Sequence, residues 1–167
     1  MDRYDAAVLV IRLAVGLTLV AHGLNHAFGG GRLPGAARWF ESLGLRHGPV
    51  QALMSAVVEV AGGAGLALGL FTSFAAASLV GVMVVAGVIA HRRNGFFVFK
   101  DGYEYVALIA AICVAVAVAG PGRASVDWAL GLDAALSGWV GLVLAVGLGG
   151  GGAGALLAGT WRPQARS

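Results

Sequence analysis

Five long apolar runs, separated by short polar connections, decide what this chain can fold into. They cover residues 6–28, 50–71, 74–90, 104–119 and 139–159. Each approaches the roughly 20 mainly apolar residues that a helix needs to cross the hydrocarbon core of a bilayer. None alternates polar and apolar with period two over ten-residue segments, as the strands of a membrane barrel do. In lipid every backbone donor and acceptor must be satisfied within the protein, so helices are the remaining way to span. The expectation is an all-α membrane protein: a four-helix transmembrane bundle plus a fifth C-terminal transmembrane helix. The four consecutive glycines 149–152 weaken that last helix by their backbone entropy.

Composition agrees. Hydrophobic residues make up 59% of the 167 and charged residues 11%, against about 25% charged in soluble domains. That excludes disorder, which needs low hydrophobicity and high charge, and leaves too little polar surface to coat a soluble globule. The net charge of +3 does not point to nucleic acid, because the basic residues form no stripe for a phosphate backbone to follow. They cluster by membrane side instead. With five spans, Arg32, Arg38, Arg46, Arg92, Arg93, Lys100, Arg162 and Arg166 share one side, and Arg3 and Arg123 the other. Cationic loops face the cytoplasm, so the N-terminus is expected outside and the C-terminus inside. Should the last run fail to cross, the bias shrinks to six against four.

The chain divides into a membrane unit over residues 1–137, the additional helix over 138–160 and a short basic tail over 161–167. Asp2 and Asp5 beside Arg3, ahead of a long apolar run, do not read as a cleavable signal. Cys113 is the single cysteine and reads as a small core residue. The connection 29–49 carries Ala36-Ala37-Arg38-Trp39-Phe40-Glu41, a mixture that suits an interfacial anchor or a lid over a site. The connection 121–138 is expected to hold a short helix capped by Ser125 or Asp127. Ala61, Gly65 and Gly69 recur every four residues, the pattern of a groove for a neighbouring helix.

Polar groups inside the runs are costly and normally face a cavity or a partner. His22, Asn25 and His26 share one face of the first helix, and Arg12 projects within about 40° of His26 at 100° per residue. Glu59 lies mid-run in the second span, His91 closes the third, and Asp101 and Glu104 open the fourth. If the helices alternate in direction, His22, His26, Glu59, His91 and Glu104 can meet, with Glu59 in reach of Arg12 or His22. Such a set can exchange protons during quinone reduction, with His22 and Glu59 as the quinone-binding pair. It can equally be structural, an Arg12–Glu59 ion pair with the histidines bonding neighbouring helices. His22, His26, Glu59 and His91 are also possible iron or zinc ligands, although no metal is expected. Haem does not fit, since two histidines one turn apart cannot face opposite sides of one macrocycle. Dinucleotide and phosphate loops, Cys-x-x-Cys-His and a nucleophile elbow are absent from the sequence.

Several short motifs, taken in order, resemble those of one family. Arg12-Leu-x-x-Gly16 leads to His22-Gly23-x-Asn25. Then come Glu59-Val-Ala-Gly62-Gly63-Ala-Gly65, His91 with Asn94-Gly95-Phe96-Phe97, Gly102-Tyr103-Glu104-Tyr105, and Gly120-Pro121-Gly122-Arg123-x-Ser125-x-Asp127. Over about residues 8–130 the chain resembles the DoxX family of small bacterial membrane proteins. The resemblance implies a four-helix membrane core with Arg12, His22, Gly23, Glu59, His91, Glu104, Arg123 and Asp127 as family-like positions. Of these, His22, Glu59, His91 and Glu104 would be pocket groups, with Arg12 balancing charge. His26 departs from the pattern, since relatives often carry lysine there. Some relatives are subunits of a thiosulfate:quinone oxidoreductase, and others belong to membrane complexes that handle oxidants and thiols.

The function expected is therefore an inner-membrane subunit of a bacterial redox complex, linked to a quinone and working with partner redox proteins. The rival is a non-enzymatic scaffold that holds partners or further copies of itself through its Trp39 segment and glycine-rich helix faces. A small-solute transporter is a third class, disfavoured by the lack of an inverted repeat.

Overall fold

Asp2 starts the first helix with a capping box, accepting from the Asp5 backbone N–H while the Asp5 carboxylate accepts from its own. From there α1 (Arg3–Phe28) runs the length of a bundle, in a computed structural model that describes residues 1–163. A short helix, α2 (Arg32–Ser42), turns back across its end. The chain returns as α3 (Gly48–Leu68), rises again as α4 (Thr72–Asn94), and descends as α5 (Glu104–Ala119). Two single-turn helices, α6 (Val126–Ala129) and α7 (Asp133–Leu136), lead into α8 (Gly138–Thr160). Among the described residues there is no strand, only one isolated bridge between Leu45 and Trp161.

Four of these helices, α1, α3, α4 and α8, are long and apolar enough to cross a membrane. The glycine-rich run thus does form a spanning helix, and the shortest apolar helix is α5, whose 16 residues span roughly 24 Å at 1.5 Å per residue. That α8 reaches the far end is fixed by its last turn. The Arg46 and Arg162 backbone N–H groups donate to the Thr160 and Gly44 carbonyls at 2.9 and 2.8 Å, and the Trp161 indole donates to the Leu43 carbonyl at 3.0 Å. Arg162 therefore sits at the end that carries Arg32, Arg38, Arg46, Arg92, Arg93 and Lys100, opposite Arg3 and Arg123. Arg166 lies outside the described residues.

Helix packing follows the small residues, though not the stripe that spacing suggests. The extensive α1–α3 contact is centred on Gly16 and Gly63. A Cβ added to either would lie 2.5 or 2.6 Å from the other's carbonyl oxygen, so the two backbones touch. Gly23 repeats this one heptad on, against the Ala56 carbonyl. Of the Ala61, Gly65 and Gly69 series, Ala61 is exposed and Gly69 is the left-handed cap of α3 at φ +64°. The reason is that α1 crosses the Ala56, Gly63 and Ala67 side of α3, while Gly62 faces Ser78 and Leu79 of α4. On α8, a Cβ at Gly149 would lie 2.5 Å from the Ala77 carbonyl oxygen, which seats this helix on α4.

Two apolar clusters result. The larger joins Val15, Leu19, Leu66, Leu79, Met83, Ile109, Cys113 and Ala145 in mid-bundle. The smaller gathers Ala37, Phe40, Leu45, Ala52 and Ile89 beneath α2.

Candidate functional site

At the N-terminal end of the bundle, the 120–137 connection is tied down by buried polar groups. Arg12, 0% exposed, sends Nη1 to the Pro121 carbonyl at 2.7 Å and Nη2 to the Ala124 carbonyl at 2.6 Å. Gly69 is a glycine because any Cβ there would collide with that guanidinium. The Asp127 carboxylate accepts from the Phe71 and Thr72 backbone N–H groups at 2.7 and 2.8 Å and from the Thr72 hydroxyl at 2.6 Å. It thereby caps α4, whose entry residue Phe71 is held at φ +44°. Ser125 caps α6, and the Asp5 carboxylate accepts from the Arg123 backbone N–H at 2.8 Å. Arg12, Arg123 and Asp127 are thus the staple that closes one end of the fold. Arg12 does not pair with Glu59, because it projects toward this end while Glu59 faces the other.

Between the two apolar clusters lies a cavity of about 730 Å³, within the range of small-molecule sites. Its polar wall is built from α1, α3 and α5. Glu59 is 3% exposed, and its Oε1 accepts from the Ser55 hydroxyl, one turn earlier, at 2.6 Å. His26 Nε2 stands 3.6 Å from the same oxygen. The missing side chain of Gly23 lets α1 come close enough, since a Cβ there would lie 3.0 Å from the Glu59 Cβ. His22 lies against Tyr105 with ring centroids 6.0 Å apart, and His26 lies at the same separation from Phe40. Both Trp39 and Phe40 line the cavity, so α2 covers its end and does more than anchor at the interface.

Of the seven residues expected to form the pocket, four line it: His22, His26, Glu59 and His91. His91 stands at the α2 end of the cavity and turns aside, its Nδ1–H donating to the Asp101 carbonyl at 2.9 Å. Three residues lie elsewhere. Arg12 is in the opposite staple. Asn25 is exposed, on the side of α1 away from α3. Glu104 accepts from the Val98 backbone N–H at 2.8 Å and so closes the α4–α5 loop. Among the described residues no three His, Cys, Asp or Glu side chains converge as a metal-binding group. Sequence reasoning missed Ser55 and Tyr105. Ser55 was findable as the i−4 neighbour of Glu59, whereas only tertiary packing brings Tyr105 to His22.

The arrangement provides a carboxylate hydrogen-bonded to a hydroxyl, with an imidazole nitrogen 3.6 Å from the same carboxylate oxygen, at the edge of an otherwise apolar chamber. Carboxylate and imidazole in this relation can hold and pass a proton. Comparison with known proteins finds no similar curated protein and no similar solved structure. A family model does match, over residues 7–92, the stretch that holds His22, Glu59, His91 and the glycines of the α1–α3 contact. That stretch is just over half of the chain, and with it this membrane protein belongs to the DoxX family.

Proposed function

We propose that this protein is the membrane subunit of a redox complex and binds a quinone in the chamber beside Glu59. The observation that carries the reading is the buried Glu59 carboxylate, bonded to Ser55 and facing His26, at the wall of an apolar cavity inside the membrane-spanning helices. A carboxylate at that depth is costly even with the Ser55 bond. A ligand ring with hydrogen-bonding oxygens gives it a further partner.

The residues suit such a ring. Tyr105 and Phe40 supply flat apolar walls, and His22, His26 and Glu59 supply groups that donate or accept. When bound, a quinone supplies two-electron, two-proton chemistry. The chain's own part is to orient the ring, exclude water with α2, and hold a proton on the His26–Glu59 pair. Electrons come from a partner redox protein. Seven cationic residues at the α2 end favour that end being cytoplasmic in a bacterial inner membrane, with the N-terminus outside.

Quinone retention by the purified protein tests this. The wild-type chain is expected to co-purify with quinone, and Glu59→Gln or His22→Ala to lower its occupancy while the protein stays folded. Unchanged retention in both variants refutes the assignment. If partners co-purify equally well with both, the scaffold reading takes its place.

A further inference from the structure

The cavity does not end at Glu59. Its lining continues along α4 through Phe74, Ala77, Ser78, Gly81, Val82 and Val85, a helical stripe roughly 16 Å long. One wall is Met54 and Val58 of α3. The other is Leu148, Gly149, Gly152 and Leu156 of α8. Met54 and Phe74 are each 43% exposed, so this part opens sideways toward lipid. It is also apolar throughout, because its one hydroxyl, Ser78, donates within its own helix to the Ala75 carbonyl at 2.8 Å.

Apart from Ser78 and His91, the polar side chains that line the space come from α1, α2, α3, the α4–α5 loop and α5, while the α8 side and most of the α4 side form an apolar groove along the membrane-spanning helices. We infer that this groove takes the hydrocarbon tail of the same ligand whose ring sits beside Glu59. The C-terminal helix, which lies beyond the family match at residues 7–92, thereby sets tail selectivity. This rests on the reading of the chamber as a quinone site. The occupant is an amphiphile, since a ring alone leaves the groove unfilled and an acyl chain alone gives Glu59 no hydrogen bond beyond the one from Ser55.

The key position is Gly152. It lines the groove, and a Cβ built there meets no atom within 4 Å. A larger side chain can enter the groove without disturbing α8. Gly151 is equally open but does not line the space, which makes it the control. A tail that moves from lipid into the groove gains little from the hydrophobic effect. The discriminating measurement is therefore variant against wild type for one probe at a time.

The full chain in nanodiscs is titrated with a benzoquinone bearing an n-decyl tail, and separately with the same ring lacking it. Gly152→Phe is expected to weaken the decyl compound about tenfold by overfilling the groove, with the tail-less ring unaffected. Gly151→Phe is expected to change neither. Gly152→Leu gives a smaller effect of the same sign, and Cys113 protection from thiol reagents checks that each variant is folded. Equal decyl affinity in wild type and Gly152→Phe overturns the tail groove and leaves the ring site standing. Loss of co-purified phospholipid from Gly152→Phe without change in decyl affinity also overturns it, assigning the groove to a lipid chain. If neither compound binds the wild type, the ring site fails and the groove with it.

Discussion

Replacing Arg12 tests how a fully buried guanidinium holds the end of this bundle. Its two bonds run to backbone carbonyls, at 2.7 and 2.6 Å, and Asp127 is satisfied by three donors of its own. The structure thus assigns Arg12 to a fork that grips the 120–137 connection, with attraction to Asp127 as a secondary effect. Hydrogen bonds involving a charged group contribute about 1.5–3 kcal/mol each, so the fork supplies ~3–6 kcal/mol. Removing the charge also relieves its desolvation, which leaves a net loss of roughly 2–4 kcal/mol for Arg12→Met. At about 2–4 °C per kcal/mol for a chain of this size, the unfolding midpoint falls by roughly 5–15 °C.

The assay is built into the sequence. Cys113 is the single cysteine and is 0% exposed, so a fluorogenic thiol reagent reports unfolding in detergent as temperature rises. Arg12→Lys is the deciding variant. Lysine keeps the positive charge but is a point donor that cannot bridge two carbonyls. It should recover less than half of the lost stability. A midpoint within about 2 °C of wild type for Arg12→Lys would show that charge alone suffices, and would refute the fork.

The α1–α3 contact gives a second prediction: Gly63→Ala drives a methyl into the Gly16 carbonyl and should cost ~1–3 kcal/mol, whereas Ala61→Leu, on the exposed face, should leave the Cys113 labelling midpoint unmoved. Removing the α4 cap with Asp127→Ala strands one buried and one part-buried backbone N–H group and should cost roughly 2–4 kcal/mol, with Asp127→Asn intermediate; equal stability of the two variants would contradict the role of a charged acceptor. In a Cys113→Ala background, an impermeant maleimide should label Arg123→Cys in intact bacterial cells and Lys100→Cys only after lysis. The reverse pattern would invert the proposed orientation.

Much of the architecture was legible because lipid leaves few options. The runs 6–28, 50–71, 74–90, 104–119 and 139–159 became helices whose ends differ from them by only a few residues, since apolar length and helix-stopping glycines are local properties. The site was only partly legible. Helical spacing put His22 and His26 on one face, and depth put Glu59 opposite them. Spacing could not tell which way Arg12 would reach, because a long side chain is directed by what it bonds. Its acceptors, Pro121 and Ala124, are more than a hundred positions away in sequence. Glu104 was misplaced for a similar reason: a loop amide six positions earlier claimed it before the cavity could.

Sequence by itself determined that this chain is a helical membrane protein, that its cations gather at one end, and that a few His, Glu and Arg residues stand inside or at the ends of its apolar runs. Those conclusions follow from transfer energies, which depend on residue type and run length. Tertiary structure alone decided that the family-like residues split into two groups at opposite ends, a staple around Arg12 and Asp127 and a chamber around Glu59. It also decided that the glycine-rich last helix forms one wall of that chamber. Both outcomes depend on which backbones approach closely enough to touch, as at Gly16 with Gly63 and Gly149 with Ala77. Such contacts join positions far apart in the chain, where no local pattern records them.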